Sequence, residues 1–270
     1  MSFQPVIVGS GLVGWQFLKA TQDTQRQVFE KSADLVRDTD YFKENIGQIK
    51  TAEDLVSDRR LLRVALGAFG LQDDINNKFF IRKILEEGGA DPQSLANKLS
   101  DDRYGAIASA FAFDSPVGAR TQLSYFGDEI VAKYREQSFE VAVGDQDDSL
   151  RLALNFQRSL PELAEGSGGN DTKWFKVMGT TALRTVFETA MGLPSGFGQL
   201  DIDQQLEVFR DKAQSRFGVT EVSELADPEV MEKVVQTYLL QTQVQDFSQS
   251  SAGLVALSLL QSIPRTSLLG

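Results

Sequence analysis

The sequence contains no cysteine and no histidine. Without cysteine no disulfide can form, and no thiolate is available as nucleophile or metal ligand. Without histidine there is no side chain that ordinarily titrates near neutrality, and no imidazole to hold zinc. Ser-His-Asp and Cys-His catalysis are thereby excluded. Chemistry by carboxylates, Lys, Tyr or Ser, or by a bound cofactor, is left. Basic residues are also short: 27 Lys and Arg stand against 38 Asp and Glu, a formal net charge of −11. Such a surface repels phosphate backbones and anionic lipid unless its basic residues cluster. The densest basic stretch is Asp58-Arg59-Arg60-Leu61-Leu62-Arg63, too small for either role, so nucleic acid is not expected as a partner. Long apolar runs are missing too. No stretch of eighteen apolar residues exists, and Ala252 to Leu260 is too short to span a bilayer before Pro264. The start, Met-Ser-Phe-Gln-Pro, lacks a basic segment followed by an apolar one, so no secretory signal is expected.

What is present suits a folded protein. Apolar residues make up 41% of the 270 and charged residues 24%, ordinary for a chain with a buried core. Strand signals are few: Pro5-Val6-Ile7-Val8 is a short apolar run, and Phe139-Glu140-Val141-Ala142-Val143 alternates but equally extends a helix. Helical periodicity dominates instead. From Trp15 to Val36, a narrow stripe of Leu18, Thr21, Gln25, Val28, Phe29, Ser32 and Leu35 suits packing against another helix. Leu62, Leu66 and Phe69 share a face that Gly70 terminates. Asn77 to Glu87 reads as a helix stopped by Gly88-Gly89, and Asp91-Pro92 reads as the start of the next. Further helices are expected over Thr121 to Glu136, from Asp147 or Asp148 through Phe156, and over Trp174 to Met191, Asp201 to Arg216 and Asp227 to Gln241. Gly166-Ser167-Gly168-Gly169-Asn170 is the most loop-like segment.

The expectation is an all-α fold, a multi-helix globular body with helical N- and C-terminal arms. Four zones follow: an N-terminal helical arm over 1–38, repeat-like helical halves over 39–136 and 137–245, and a C-terminal tail over 246–270. An internal duplication is suggested because Leu61 to Leu71 ends in Gly70-Leu71 and Leu183 to Leu193 in Gly192-Leu193, with Val64 matching Val186. Each is followed by an Asp-Pro pair, Asp91-Pro92 and Asp227-Pro228.

One motif points to chemistry. Gly9-Ser10-Gly11-Leu12-Val13-Gly14 has the G-x-G-x-x-G spacing after Val6-Ile7-Val8, and in a dinucleotide site such glycines admit a pyrophosphate at a helix N-terminus. Glu30 lies near the place of the ribose-binding carboxylate. That fold needs several buried parallel strands, and no later Val/Ile-rich run supplies them. The other reading, a glycine-rich lead-in to a helix, is preferred. Acid pairs at Asp73-Asp74, Glu86-Glu87, Asp101-Asp102 and Asp147-Asp148 sit near helix ends, where capping or solvation explains them. Asp201 and Asp203 lack the glycine of a calcium loop. Trp174-Phe175 suits either a core or a partner anchor, and the core is preferred. No catalytic residue, cofactor or metal is assigned.

Several segments together resemble a bacterial family known as a domain of unknown function, DUF 1217, found among flagellar genes of alphaproteobacteria. They are Ser57 through Leu71, Phe80-Ile81-Arg82-Lys83-Ile84-Leu85, Asp91-Pro92 through Ala96-Asn97, Trp174-Phe175, Leu183-Arg184 and Gly192-Leu193-Pro194. The resemblance brings no activity and no site residues. It implies a flagellum-linked context, with protein partners and a location either cytoplasmic or flagellar after export without a cleaved signal. Flagellar axial proteins often carry polar helical ends that order on assembly. The N-terminal arm and the Gln/Ser-rich stretch from Gln241 to Gln261 suit that role, or else are amphipathic helices packed on the body. Three functions are therefore open: a non-enzymatic flagellar accessory or assembly protein, a dinucleotide-binding enzyme using Gly9, Gly11, Gly14 and Glu30, and a chaperone-like groove for an export substrate's helix.

Overall fold

Acidic and hydroxyl side chains open several of the helices. The Asp58 carboxylate accepts the backbone N–H groups of Arg60 (2.9 Å) and Leu61 (3.1 Å), and Asp147 accepts those of Ser149 (2.9 Å) and Leu150 (3.3 Å). Asp227 does the same for Glu229 (2.9 Å) and Val230 (3.3 Å). Thr51 and Asp54 form a reciprocal capping box. Glycines close helices: Gly70 and Gly192 take φ of +70° and +67°. The N–H of Leu71 reaches the Leu66 carbonyl, and that of Leu193 the Glu188 carbonyl, both at 2.9 Å. A Cβ would be strained in that left-handed conformation.

The computed structural model describes the backbone of residues 3–99 and 101–262, and side chains as far as Ser248. It contains fourteen α-helices and, among the described residues, no strand. In the first half they are α1 (Gly11–Phe29), α2 (Ala33–Asn45), α3 (Ala52–Ser57), α4 (Arg59–Ala68), α5 (Lys78–Glu87), α6 (Leu95–Lys98), α7 (Asp102–Phe111) and α8 (Phe126–Gly144). There follow α9 (Asp148–Glu165), α10 (Asn170–Gly179), α11 (Thr181–Met191), α12 (Ile202–Phe217), α13 (Val222–Leu225) and α14 (Pro228–Ser262). The all-α fold is as the periodicity indicated.

Among the described residues two large apolar cores form, beside a small cluster of Ile84, Ala96 and Ala108. The first gathers Phe42, Leu55, Leu62, Leu66, Ile81, Phe111 and Phe126. The second gathers Trp15, Leu18, Phe156, Trp174, Phe187, Phe209 and Leu239, with Trp174 edge-on to both Phe187 and Phe209. Each fully buried side chain of this size contributes about 1.5–3 kcal/mol by leaving water. Helix α8 joins the cores, placing Phe126, Ile130 and Val131 in the first and Phe139 and Val143 in the second. A single helix thus runs through positions 136 and 137, where a division of the chain was expected.

Several expectations are corrected. The segment expected as an N-terminal arm is shared between the cores: Trp15 and Leu18 of α1 are fully buried in the second, and α2 packs on α4 and α8. Phe139 to Val143 is helical, because the i, i+4 pair Phe139 and Val143 is buried on one face of α8. The helix expected from Thr121 begins at Phe126. Thr121 instead donates its hydroxyl to the Ile49 carbonyl at 2.6 Å, and Leu123 is exposed. Asp91 caps a turn rather than a long helix. Asn97 binds the carbonyls of Gly89 (2.9 Å) and Asp91 (2.8 Å), and these local bonds displace helical ones, leaving only the four-residue α6. Asp227-Pro228, by contrast, opens the 35-residue α14. Of the C-terminal tail, residues 263–270 and the side chains from 249 lie outside the described residues.

Candidate functional site

Three places stand out by their geometry: the glycine-rich loop, the cleft beside α8 and α9, and the outer turn of α14. At the loop, Pro5 and Val6 run extended over α1. The Gln25 side chain, buried on α1, accepts the Val6 N–H at 2.6 Å and donates to the Val6 carbonyl at 3.0 Å. Gln146 also donates to the Pro5 carbonyl. The apolar run therefore pairs with a side-chain amide, and no strand precedes the glycines. Gly9 and Gly11 have φ of +83° and +54°. A Cβ on Gly14 would lie 2.9 Å from the Gly9 carbonyl oxygen, and one on Gly11 2.2 Å from the Gln243 side chain of α14. Close packing of the loop, α1 and α14 thus accounts for the glycines. Glu30 follows the other end of α1, about 28 Å away at 1.5 Å per residue, and pairs with Arg135 at 3.7 Å. It lines a recess of about 240 Å³ with Arg26, Arg135, Glu136, Phe29 and Phe139. Gly9, Gly11 and Gly14 are not brought together with Glu30, which corrects the spacing argument for a dinucleotide site.

The cleft is larger, about 980 Å³, and lies between α8 and α9 on one side and the ends of α4, α7 and α11 on the other. Its floor is an ion pair. Glu140 is 2% exposed, and its carboxylate accepts from Arg158 Nε at 2.6 Å, Arg158 Nη2 at 3.2 Å and Asn155 Nδ2 at 3.3 Å. Burial is the largest influence and works against the Arg158 charge, but the bond to Glu140 and the charges of Glu140, Glu136 and Glu162 together outweigh it and raise the guanidinium above its ordinary value. On the opposite wall Asp101 caps α7 and binds Arg103, which in turn donates to the Gly70 carbonyl. Burial opposes ionisation of Asp101, yet the Arg103 bonds hold its carboxyl below the usual range. Burial and the neighbouring Asp101 charge push Asp102 up, against a smaller pull from Lys176. These groups lock helices to one another. No group of three acidic, His or Cys residues with metal-binding spacing occurs among the described residues.

The remaining acid pairs also have structural partners. Asp74 accepts from Tyr104 (2.6 Å) and Asn77 (2.7 Å). Glu86 pairs with Arg82 at 3.5 Å and Glu87 with Lys83 at 3.7 Å. Asp148 pairs with Arg151 at 2.6 Å, and Asp201 caps α12 through the Asp203 N–H at 3.0 Å. Trp174 is fully buried, its indole donating to the Thr220 carbonyl at 3.0 Å.

The outer turn of α14 differs from both. Val234, Val235, Tyr238 and Leu239 of this helix are buried in the second core. Beyond them Leu240, Val244 and Phe247 are 49%, 60% and 75% exposed. From Val234 to Pro264 the sequence has one charged residue, Asp246. A solvated helix ordinarily carries a charged face. The i, i+4, i+7 spacing of the three apolar residues was readable beforehand. The sequence reading ended one helix near Gln241 and set a separate helical arm beyond it; α14 instead runs through both without a break and presents that stripe outside the core. Among the described residues no helix is long and apolar enough to cross a membrane.

A family described as protein of unknown function (DUF1217) matches residues 68–254. The crystal structure of protein AGR_C_984 from Agrobacterium tumefaciens is similar at 30% identity, with a TM-score of 0.71 over 90% of this chain and 98% of that one. No curated protein matches the chain.

Proposed function

The chain belongs to the DUF1217 family, and we propose that it is a non-enzymatic accessory or assembly protein of the flagellum that acts through contacts with other proteins. The observation that carries the contact role is the outer turn of α14, where Leu240, Val244 and Phe247 face outward on a stretch, Val234 to Pro264, whose one charged residue is Asp246. Exposed apolar surface of this kind is stabilised by burial against another chain. The flagellar context rests on the resemblance to a family found among flagellar genes of alphaproteobacteria. The similarity to a protein from Agrobacterium tumefaciens supports a bacterial setting of the same kind. The protein works in the cytoplasm during assembly or at the flagellum itself.

The charged walls of the cleft favour this reading over a chaperone groove, which would offer an apolar surface to an amphipathic helix. Deleting the gene and scoring swimming tests the proposal, together with fractionation into cytosol, basal bodies and spent medium. Reduced motility and recovery with flagellar components are expected. Normal swimming with intact filaments, and no flagellar co-purification, would refute it.

A further inference from the structure

We propose that the recess between the end of α1 and the middle of α8 binds a small zwitterion with an apolar body, of the class of an aromatic α-amino acid. The site is separate from the outer turn of α14 and does not depend on the contact role. Its polar lining is two arginines and two glutamates: Arg26 and Glu30 at the end of α1, and Arg135 and Glu136 on α8. Its apolar lining is Phe29 and Phe139, whose rings meet edge-on with centroids 5.7 Å apart. At about 240 Å³ the recess falls below the range of drug-sized pockets, roughly 300–1,000 Å³, and suits a ligand of amino-acid size.

The two arginines are used differently from others in the chain. Arg103, Arg158 and Arg184 each donate Nε to a carboxylate, at 3.0, 2.6 and 2.6 Å. In the recess Arg26 stands 3.6 Å from Glu136, and Arg135 stands 3.7 Å from Glu30. Both separations are too long for hydrogen bonds. The Nε of each is buried and has no hydrogen-bond partner among the described residues. A buried donor left without an acceptor is costly, so a ligand that supplies one is favoured. The two side chains are 32% and 31% exposed. An entering carboxylate reaches their outer nitrogens, and a small turn of each side chain brings Nε to it.

Charge selects the class of ligand. Two guanidiniums and two carboxylates cancel. A simple anion would face Glu30 and Glu136 and a simple cation Arg26 and Arg135, each meeting like charge at close range. A zwitterion sets its carboxylate on the arginines and its ammonium on the glutamates, so that both signs are matched by charge-assisted bonds. Glu136 and Glu30 are 37% and 42% exposed, free enough to turn toward an ammonium. The apolar body then rests against Phe29 and Phe139.

Titration of the full chain with L-phenylalanine, followed by ligand-observed saturation-transfer NMR, tests this. 3-Phenylpropionate, which lacks the ammonium, and phenethylamine, which lacks the carboxylate, are the comparison probes. Saturable binding of phenylalanine is expected, with each comparison probe at least about tenfold weaker. R26Q/R135Q and E30Q/E136Q should each weaken phenylalanine by at least about tenfold as well. Should R26Q/R135Q lose its helical circular dichroism, E30Q/E136Q decides, because it removes charge without changing shape. No saturable binding of phenylalanine at any soluble concentration overturns the proposal, and so does binding that E30Q/E136Q leaves unchanged. If 3-phenylpropionate binds as well as phenylalanine, and more tightly to E30Q/E136Q, the recess is a plain anion site and the zwitterion is overturned.

Discussion

The seam between α8 and α9 and the outer turn of α14 depart from ordinary helix packing in opposite ways. At the seam, charge is drawn inward: Glu140 is buried, and Arg158 and Asn155 occupy its carboxylate. On α14 beyond Leu239, apolar side chains are turned outward, and Asp246 is the one charged residue as far as Ser262. The seam is complete within one chain, since each polar group has its partner there. The turn leaves Leu240, Val244 and Phe247 exposed, and the proposed contact would bury them. A buried pair of this kind fixes which helices meet and in what register, with little gain in net stability. An uncharged exposed stripe adds nothing to the folded monomer and becomes useful on contact.

This contrast can be broken most severely at Glu140. Glu140→Ala leaves the Arg158 side chain, 23% exposed at the cleft floor, without its counter-charge and should cost about 3–5 kcal/mol, read from urea unfolding. A cost near zero would mean that water reaches the pair and the seam is not closed. The next test uses two adjacent leucines on α14. Leu239 is fully buried and Leu240 is 49% exposed. Leu239→Ala should destabilise by about 2–5 kcal/mol, whereas Leu240→Ala should stay within about 0.5 kcal/mol. Equal costs would erase the boundary between core and outer turn.

A smaller effect concerns how α14 is tied to α1. Glu232 accepts from Lys19 at 2.8 Å, from Gln236 at 2.9 Å and from Trp15 Nε1 at 3.4 Å. Burial alone would raise its pKa, but these donors together hold the carboxyl below the ordinary value. A lowered folded-state pKa gives stability that is present above the unfolded value, about 4.3. That stability is lost as pH falls through the lower folded value. Protection of α1 amides from hydrogen exchange, relative to the intrinsic rate at each pH, should fall across that window, and Glu232→Gln should flatten the dependence. An unchanged profile in the variant would remove Glu232 from the account.

Much of the architecture was legible because its causes are local. Asp58, Asp147 and Asp227 cap the helices that they precede, and Gly70 and Gly192 end theirs with the same left-handed turn. The relation between Asp91-Pro92 and Asp227-Pro228 was misleading, because Asn97 offers the backbone near Asp91 other partners. The Glu140–Arg158 pair was not legible: its members are eighteen residues apart on different helices, and nothing in either neighbourhood marks them. The Gln25 amide that holds Val6 was hidden likewise, nineteen residues from its partner. The stripe on α14 could be seen in sequence, but only tertiary structure distinguishes its buried turns from its exposed one.

The central claim, that the outer turn of α14 is a contact surface needed for function, is tested most directly in cells whose sole copy of the gene carries V244D/F247D. Swimming-halo diameter should fall to that of the deletion strain while the protein accumulates at its normal level. A normal halo from the double variant, in a background where deletion abolishes swimming, would contradict it.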